Sequence, residues 1–216
     1  MDVIIPIITL LVGAVLGALL GRWYGVYQSR PVLTIIGSGG GGGPGPGYHV
    51  THARLQNRPG LVGLRLNDSA FGRRLHGFIE RGLPVERNPA RECSARLHDK
   101  QTGEFIAPLW WRRPEASVAW QISTDLASGE EAELMLFARL HEEPTRYFPF
   151  APADQRVSGA APSVPPAEAR FEGTRDFSVE ISYSYGRQRA RFDASVKLGF
   201  DGRLSCLLKG AGGESF

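Results

Sequence analysis

Lysine is nearly absent from this chain. Only Lys100, Lys197 and Lys209 are present, so 22 of the 25 basic side chains are arginine. An arginine bias spread along a whole chain is compositional, and the net charge is only +3. Nucleic-acid binding asks instead for a concentrated basic stripe with aromatic platforms, so no nucleic-acid partner is expected. Cysteine is scarce too. Cys93 and Cys206 stand 113 positions apart, which argues against a small extracellular domain built on disulfides. There is no Gly-Lys-Ser/Thr triplet, hence no phosphate-cradling P-loop. The run Gly37-Ser-Gly-Gly-Gly-Gly-Gly-Pro-Gly-Pro-Gly47 formally contains G-x-G-x-x-G. A dinucleotide site needs a helix opening at the third glycine, and prolines follow here instead.

Reactive constellations are missing as well. His49 and His52 lie three apart on a candidate strand and so face opposite sides, without a Cys or acidic partner at ligand spacing. Cys93 alternates onto an apolar face, where a thiol is inert, and this disfavours pairing it with His98 or His141 as a nucleophile. Glu130, Glu131 and Glu133 look like a solvated strand edge. No catalytic residue, metal or cofactor is expected, and the chain is read as a non-enzyme.

Charge is absent from one long stretch. Val3 to Gly21 (VIIPIITLLVGAVLGALLG) carries none, and about 19 residues of helix reach roughly 28 Å, enough for a hydrocarbon core of about 30 Å. Pro6 falls in the first turn, where its missing N–H costs little. Trp23, Tyr24 and Tyr27 follow as an interfacial belt, with Arg22 and Arg30 beside them. The segment begins Met-Asp without preceding basic residues, which fits a cleaved signal peptide poorly. Residues 1–30 are therefore expected to be a membrane anchor in contact with lipid through Arg22, Trp23, Tyr24 and Arg30.

From residue 22 to 75 come Arg22, Arg30, Arg54, Arg58, Arg65, Arg73 and Arg74 against Asp68. The positive-inside rule then puts the following domain in the cytoplasm, and each arginine near an anionic leaflet adds about 1 kcal/mol of attraction. The opposite side would be favoured by use of the sequon Asn67-Asp68-Ser69. Gly13, Gly17, Gly21 and Gly25 recur every fourth residue, which places them on one stripe of the helix. Such a stripe lets a second helix approach closely, so a homo-oligomer or a partner membrane protein is expected.

The remainder, residues 31–216, is long enough to bury a core without staples. Its clearest signal is period-two alternation. Phe177, Val179, Ile181, Tyr183 and Tyr185 alternate with polar residues, then Ala190, Phe192, Ala194, Val196, Leu198 and Phe200, then Leu204, Cys206 and Leu208. Gly186-Arg187-Gln188 and Asp201-Gly202 separate the runs, so the C-terminal third is an antiparallel meander. Further inward sets are Cys93, Ala95 and Leu97; Val118, Trp120 and Ile122; and Leu134, Leu136, Ala138 and Leu140. Val32 to Ile36 and Tyr48 to Gln56 are strand candidates, and Lys100 to Gly103 turns the chain into a strand from Phe105 to Trp111.

About eight strands at this spacing predict an all-β, antiparallel, immunoglobulin-like β-sandwich behind one N-terminal transmembrane α-helix. Residues 37–47 are expected as a flexible loop, about 60–90 as an insertion, and about 144–170, rich in proline, as an extended loop between sheets. Trp110 and Trp111 must point to opposite faces. One of them, beside Arg112 and Arg113, is a candidate exposed anchor for a partner.

The N-terminal span, the Tyr48–Asn57 strand, the Ala90–Leu97 strand (AREC SARL) and the later tryptophan strand together resemble the uncharacterised prokaryotic proteins that carry one span and an immunoglobulin-like or fibronectin-III-like sandwich. The resemblance implies a fold and no activity. The paired cysteines of true immunoglobulin domains have no counterpart, since Cys93 and Cys206 are too far apart. The expected role is a membrane-tethered interaction or scaffold module. Its rival is an outward-facing envelope domain that binds a ligand or carbohydrate or assembles into a surface structure.

Overall fold

The computed structural model describes residues 10–19, 21–22, 31–42, 47–58, 88–113, 119–184, 188–199 and 201–210. The chain divides into two units, Met1–Pro31 with Pro59–Asn88, and Val32–Arg58 with Pro89–Phe216.

In the first unit, residues 10–19 are helical. Leu10, Leu11, Val12, Val15, Leu16 and Leu19 are each more than half exposed. Gly13, Gly17 and Gly21 have no neighbouring atom within 4 Å of where a Cβ would stand, and Arg22 is exposed. Among the described residues no helix is long and apolar enough to cross a membrane. Residues 1–9 and 20 of the expected span, and Trp23, Tyr24, Gly25 and Arg30, lie outside the described residues.

The second unit is antiparallel β structure. Its strands are β1 (Leu33–Gly42), β2 (Tyr48–Asn57), β3 (Ala90–Asp99), β4 (Phe105–Arg112), β5 (Ser123–Leu126), β6 (Glu131–Leu140), β7 (Arg146–Pro149), β8 (Phe171–Glu172), β9 (Arg175–Tyr183), β10 (Gln188–Leu198) and β11 (Leu204–Gly210). They form one nearly closed sheet in the order β1-β2-β6-β4-β3-β9-β10-β11. The short strands extend the ladder: β5 pairs with β3, and β7 pairs with β6 and β8.

The predicted meander is present. Ala190 opposes Ile181 and Val196 opposes Cys206, and Phe177, Val179, Ile181, Phe192, Ala194 and Leu204 are buried. Gly202 adopts φ +72° in the β10–β11 turn, which a residue without a Cβ tolerates. At the β3–β4 turn, Asp99 Oδ1 accepts from the Gln101 and Thr102 N–H groups at 2.8 and 3.0 Å.

Asn57 fastens the start of the sheet from a fully buried position. Its Oδ1 accepts from Val32 N at 3.1 Å, and its Nδ2 donates to the Leu126 carbonyl at 3.1 Å.

Several expectations are corrected. The glycine-rich stretch 37–47 is mostly strand: β1 runs to Gly42, and Gly39 pairs with His52. The ladder uses backbone groups alone, so a strand at the sheet's edge needs no side chains to pair. A Cβ at Gly39 would stand 3.0 Å from the His52 ring, so glycine is what lets that ring lie across β1. Ile122 is about half exposed, and Thr124 and Leu126 take the inward positions instead. Residue 122 sits at a bend between the bridge at Gln121 and the start of β5. The expected inward Val118 lies outside the described residues, as do residues 59–87 of the expected insertion; Ala90 already opens β3.

The stretch 144–170 is not a featureless crossing loop. Tyr147, Phe148 and Phe150 are all buried, and β7 hydrogen-bonds to β6 beyond the end of β4, with Phe148 opposite Ala138. A bridge joins Pro152 and Pro162, a short 3₁₀ turn covers Ala167–Ala169, and the Arg170 guanidinium pairs with the Glu143 carboxylate. Apolar residues on both faces of a short run make a strand profitable even between prolines.

The register of β6 explains how it can serve two cores. Thr51 faces Phe137 and His52 faces Met135, so Leu136 has no partner on β2; its carbonyl accepts from Phe150 N at 3.0 Å instead. A bulge of this kind reverses the alternation. Leu134, Leu136 and Phe137 enter the main core, whereas Met135 and Ala138 join a second cluster with Val50, Trp110, Trp120, Phe148 and Phe150. Ala138 and Leu140 therefore leave the inward set expected for them.

Within the main core, Phe137 packs on Tyr147 and Phe177, with ring centroids 5.6 and 5.0 Å apart. The Tyr147 hydroxyl sits there without a hydrogen-bond partner among the described residues, and burial pushes its pKa up. An unsatisfied buried polar group costs about 1–3 kcal/mol. Tyr147→Phe is expected to raise the unfolding free energy by about 1 kcal/mol, checked by urea denaturation against the parent chain.

Candidate functional site

The expected partner patch is taken apart by the fold. Alternation does send Trp110 and Trp111 to opposite faces, but each face carries a core. Trp111 is fully buried in the main one, and Trp110 is 5% exposed in the second. The expected exposed tryptophan is therefore corrected: the segment before residue 170 covers that side, and Trp120 stacks on Phe150 at 4.8 Å. Arg113 is occupied locally. Its Nε donates to Thr124 Oγ1 at 3.1 Å, its Nη1 meets Glu130 at 3.1 Å, and it also reaches the Asp125 carbonyl. Arg112 lies across from Glu133 at 3.9 Å. Of the proposed helix-stripe residues, Gly13, Gly17 and Gly21 stand open; they belong to the other unit.

The thiols are buried and unpaired with each other. Cys93 donates to the Ala90 carbonyl at 3.3 Å. Burial, helped by the Asp125 charge, pushes its pKa to about 12, and burial pushes Cys206 to about 12. A thiol so far from ionisation is a poor nucleophile. Among the described residues no group of three or more His, Cys, Asp or Glu is placed to hold a metal.

A groove not foreseen from the residues alone lies where the sheet fails to close. It opens between β1–β2 and β10–β11, encloses about 570 Å³, and is lined by Ser38, Gly39, His49, Lys197, Arg203 and Lys209 among others. Such a volume is in the range of ligand sites. The lining holds no carboxylate. Its basic residues stand on the outer face of the β10–β11 hairpin, because Val196, Leu204 and Leu208 take the inward positions. On β1 the facing wall is formed by Ser38 and Gly39. A hydrogen bond crosses the gap: His49 Nε2 donates to the Leu204 carbonyl at 3.1 Å.

His49 titrates below its ordinary value. Partial burial is the main cause, and the nearby charges of Arg139, His141 and Arg203 add to it, while the bond to Leu204 opposes it. A base with a depressed folded pKa binds protons more readily when unfolded. It therefore contributes instability as pH falls below 6.5, and stability rises again with pH through that window. His49→Gln is expected to flatten this part of the profile, read as the urea midpoint followed from pH 7.5 down to the His range. Separately, Cys93 and Cys206 are expected to resist a thiol reagent at pH 8 in the native chain and to react fully once it is unfolded, as followed by mass spectrometry.

No known protein family, curated protein or solved structure matches this chain.

Proposed function

We propose that this chain is a membrane-tethered, non-enzymatic interaction module, related in plan to single-span prokaryotic proteins with a β-sandwich domain. The observation that carries the proposal is the apolar segment near the N-terminus. Its helical residues 10–19 expose leucine and valine on every side, and a helix apolar all round needs a non-aqueous surrounding. The uncharged run from Val3 to Gly21 supplies the length that a span requires.

Two further parts belong to the same proposal. The open stripe of Gly13, Gly17 and Gly21 supports pairing of the span with a second copy or with a partner membrane protein. The seven arginines between residues 22 and 75 support a cytoplasmic β domain. The same reading takes the β domain as an immunoglobulin-like sandwich. Antiparallel strands over a tryptophan-containing core speak for it, and a strand path continuous through β4 speaks against it.

Full-length chain is expected to stay with the membrane after alkaline carbonate extraction; recovery in the aqueous fraction would overturn the tether. Gly17→Ile with Gly21→Ile is expected to weaken self-association of the span about tenfold, measured by energy transfer between labelled copies in vesicles. Unchanged association would remove the pairing role.

A further inference from the structure

We propose that the groove along β11 binds a phosphate monoester, with the phosphate held by Lys197 and Arg203 and the organic part lying over Leu207. The site stands on the β domain alone and goes beyond the interaction-module reading.

The backbones leave no opening here. β11 runs close beside β1 and β2, and the His49–Leu204 bond spans the seam. The space of about 570 Å³ therefore lies among side chains. It follows the strand direction. Arg203 stands at one end and Lys209 at the other, six residues along, which is about 20 Å of extended chain.

The ladder brings two cations together at the first end. Lys197 opposes Ser205, and Arg203 is two positions before Ser205 on the same face. Diagonal neighbours of this kind stand about 7–8 Å apart at the backbone, within reach of one anion for two long side chains. A guanidinium fork beside an ammonium point charge suits the several oxygens and double charge of a phosphate monoester better than a single carboxylate. Lys209 closes the far end and keeps the whole groove positive.

None of the three has a carboxylate partner among the described residues. Two carboxylates are close in sequence or register, and both are engaged elsewhere. Asp193 opposes Lys209 but pairs with Lys100 at 3.0 Å. Asp201 Oδ1 accepts from Arg203 N at 2.9 Å. The positive field is felt across the seam: burial first, then the charges of Arg139, His141 and Arg203, lower the pKa of His49.

A bare ion would fill little of this space. Between the charged ends Leu207 is 51% exposed, opposite the short wall of Ser38 on β1. A large apolar side chain left open between cations gives an organic group a surface to cover. The same phosphate chemistry is offered by a soluble ester and by a lipid headgroup.

The test uses full-length chain in an uncharged detergent and 2-naphthyl phosphate, followed by equilibrium dialysis against a chamber of detergent alone. Saturable binding of one molecule per chain is expected. Inorganic phosphate is expected to displace it where chloride of equal ionic strength does not; failure of that comparison, which needs no variant, would overturn the proposal. Lys197→Gln with Arg203→Gln is expected to weaken binding about tenfold or more, with an unchanged circular dichroism spectrum and urea midpoint. Arg189→Gln with Arg191→Gln removes two cations that pair with Glu180 on the same hairpin, and is expected to change binding less than twofold. Equal weakening by the two pairs would mean general attraction to a basic surface and would also overturn the site. Leu207→Ser is expected to weaken 2-naphthyl phosphate about threefold and to leave the displacing concentration of inorganic phosphate, corrected for that change, as it was. Phosphatidic acid mixed into the micelles and glycerol 3-phosphate in the water serve as competitors. Displacement by the first alone makes the ligand a lipid headgroup, by the second a soluble ester, and displacement by neither counts against the site.

Discussion

The β domain depends on one strand being buried on both faces. From Leu134 to Ala138 no residue of β6 reaches solvent appreciably. A strand in that position cannot follow a single alternating pattern, because two different neighbours must be packed at once. The bulge at Leu136 resolves the conflict by changing which side chains look inward halfway along the strand. It also ends the pairing with β4 at Met135 and leaves room for β7 to continue the ladder at Phe137. The second cluster, the folded-back proline segment and the burial of Trp110 all follow from that arrangement.

The two clusters differ in how they are closed. The main core is enclosed by the sheet itself, with aromatic rings of Phe137, Tyr147, Phe171 and Phe177 in mutual contact. The second lies outside the sheet and is closed by a long connection. Phe148 and Phe150 supply its apolar contacts, and the Arg170–Glu143 pair gathers the connection's ends. Packing of this kind shields tryptophans that alternation alone would leave wet. It also explains why the natural place to look for a binding surface moves from the tryptophan strand to the unclosed side of the sheet.

Much of this was legible in the residues. The meander from Phe177 to Leu208 could be read strand by strand, since one apolar face and one polar face leave only one register. So could the Asp99–Gly103 turn and the opposite orientations of Trp110 and Trp111. What escaped was non-local. Nothing near residues 37–42 tells a glycine run that β2 will offer it a ladder. Nothing near Trp110 announces that Phe148 and Phe150 will return to cover it. The groove escaped for the same reason: Ser38, His49, Lys197 and Lys209 are ordinary surface residues until two distant edges come to face each other.

The strand order has a consequence for how the chain is made. β2 lies between β1 and β6, and β3 lies between β4 and β9, so each waits for a neighbour encoded some eighty residues later. A ribosome adding about 5–20 residues per second would leave β2 with a bare edge for several seconds. Wide sequence separation also slows the closing step itself. The nascent chain thus passes through a stage in which Val50, Ala53 and Leu55 are formed into a hairpin with β1 but still uncovered. The hairpin's glycine-rich half gives that intermediate little apolar surface of its own, which limits what a neighbouring nascent chain can stick to.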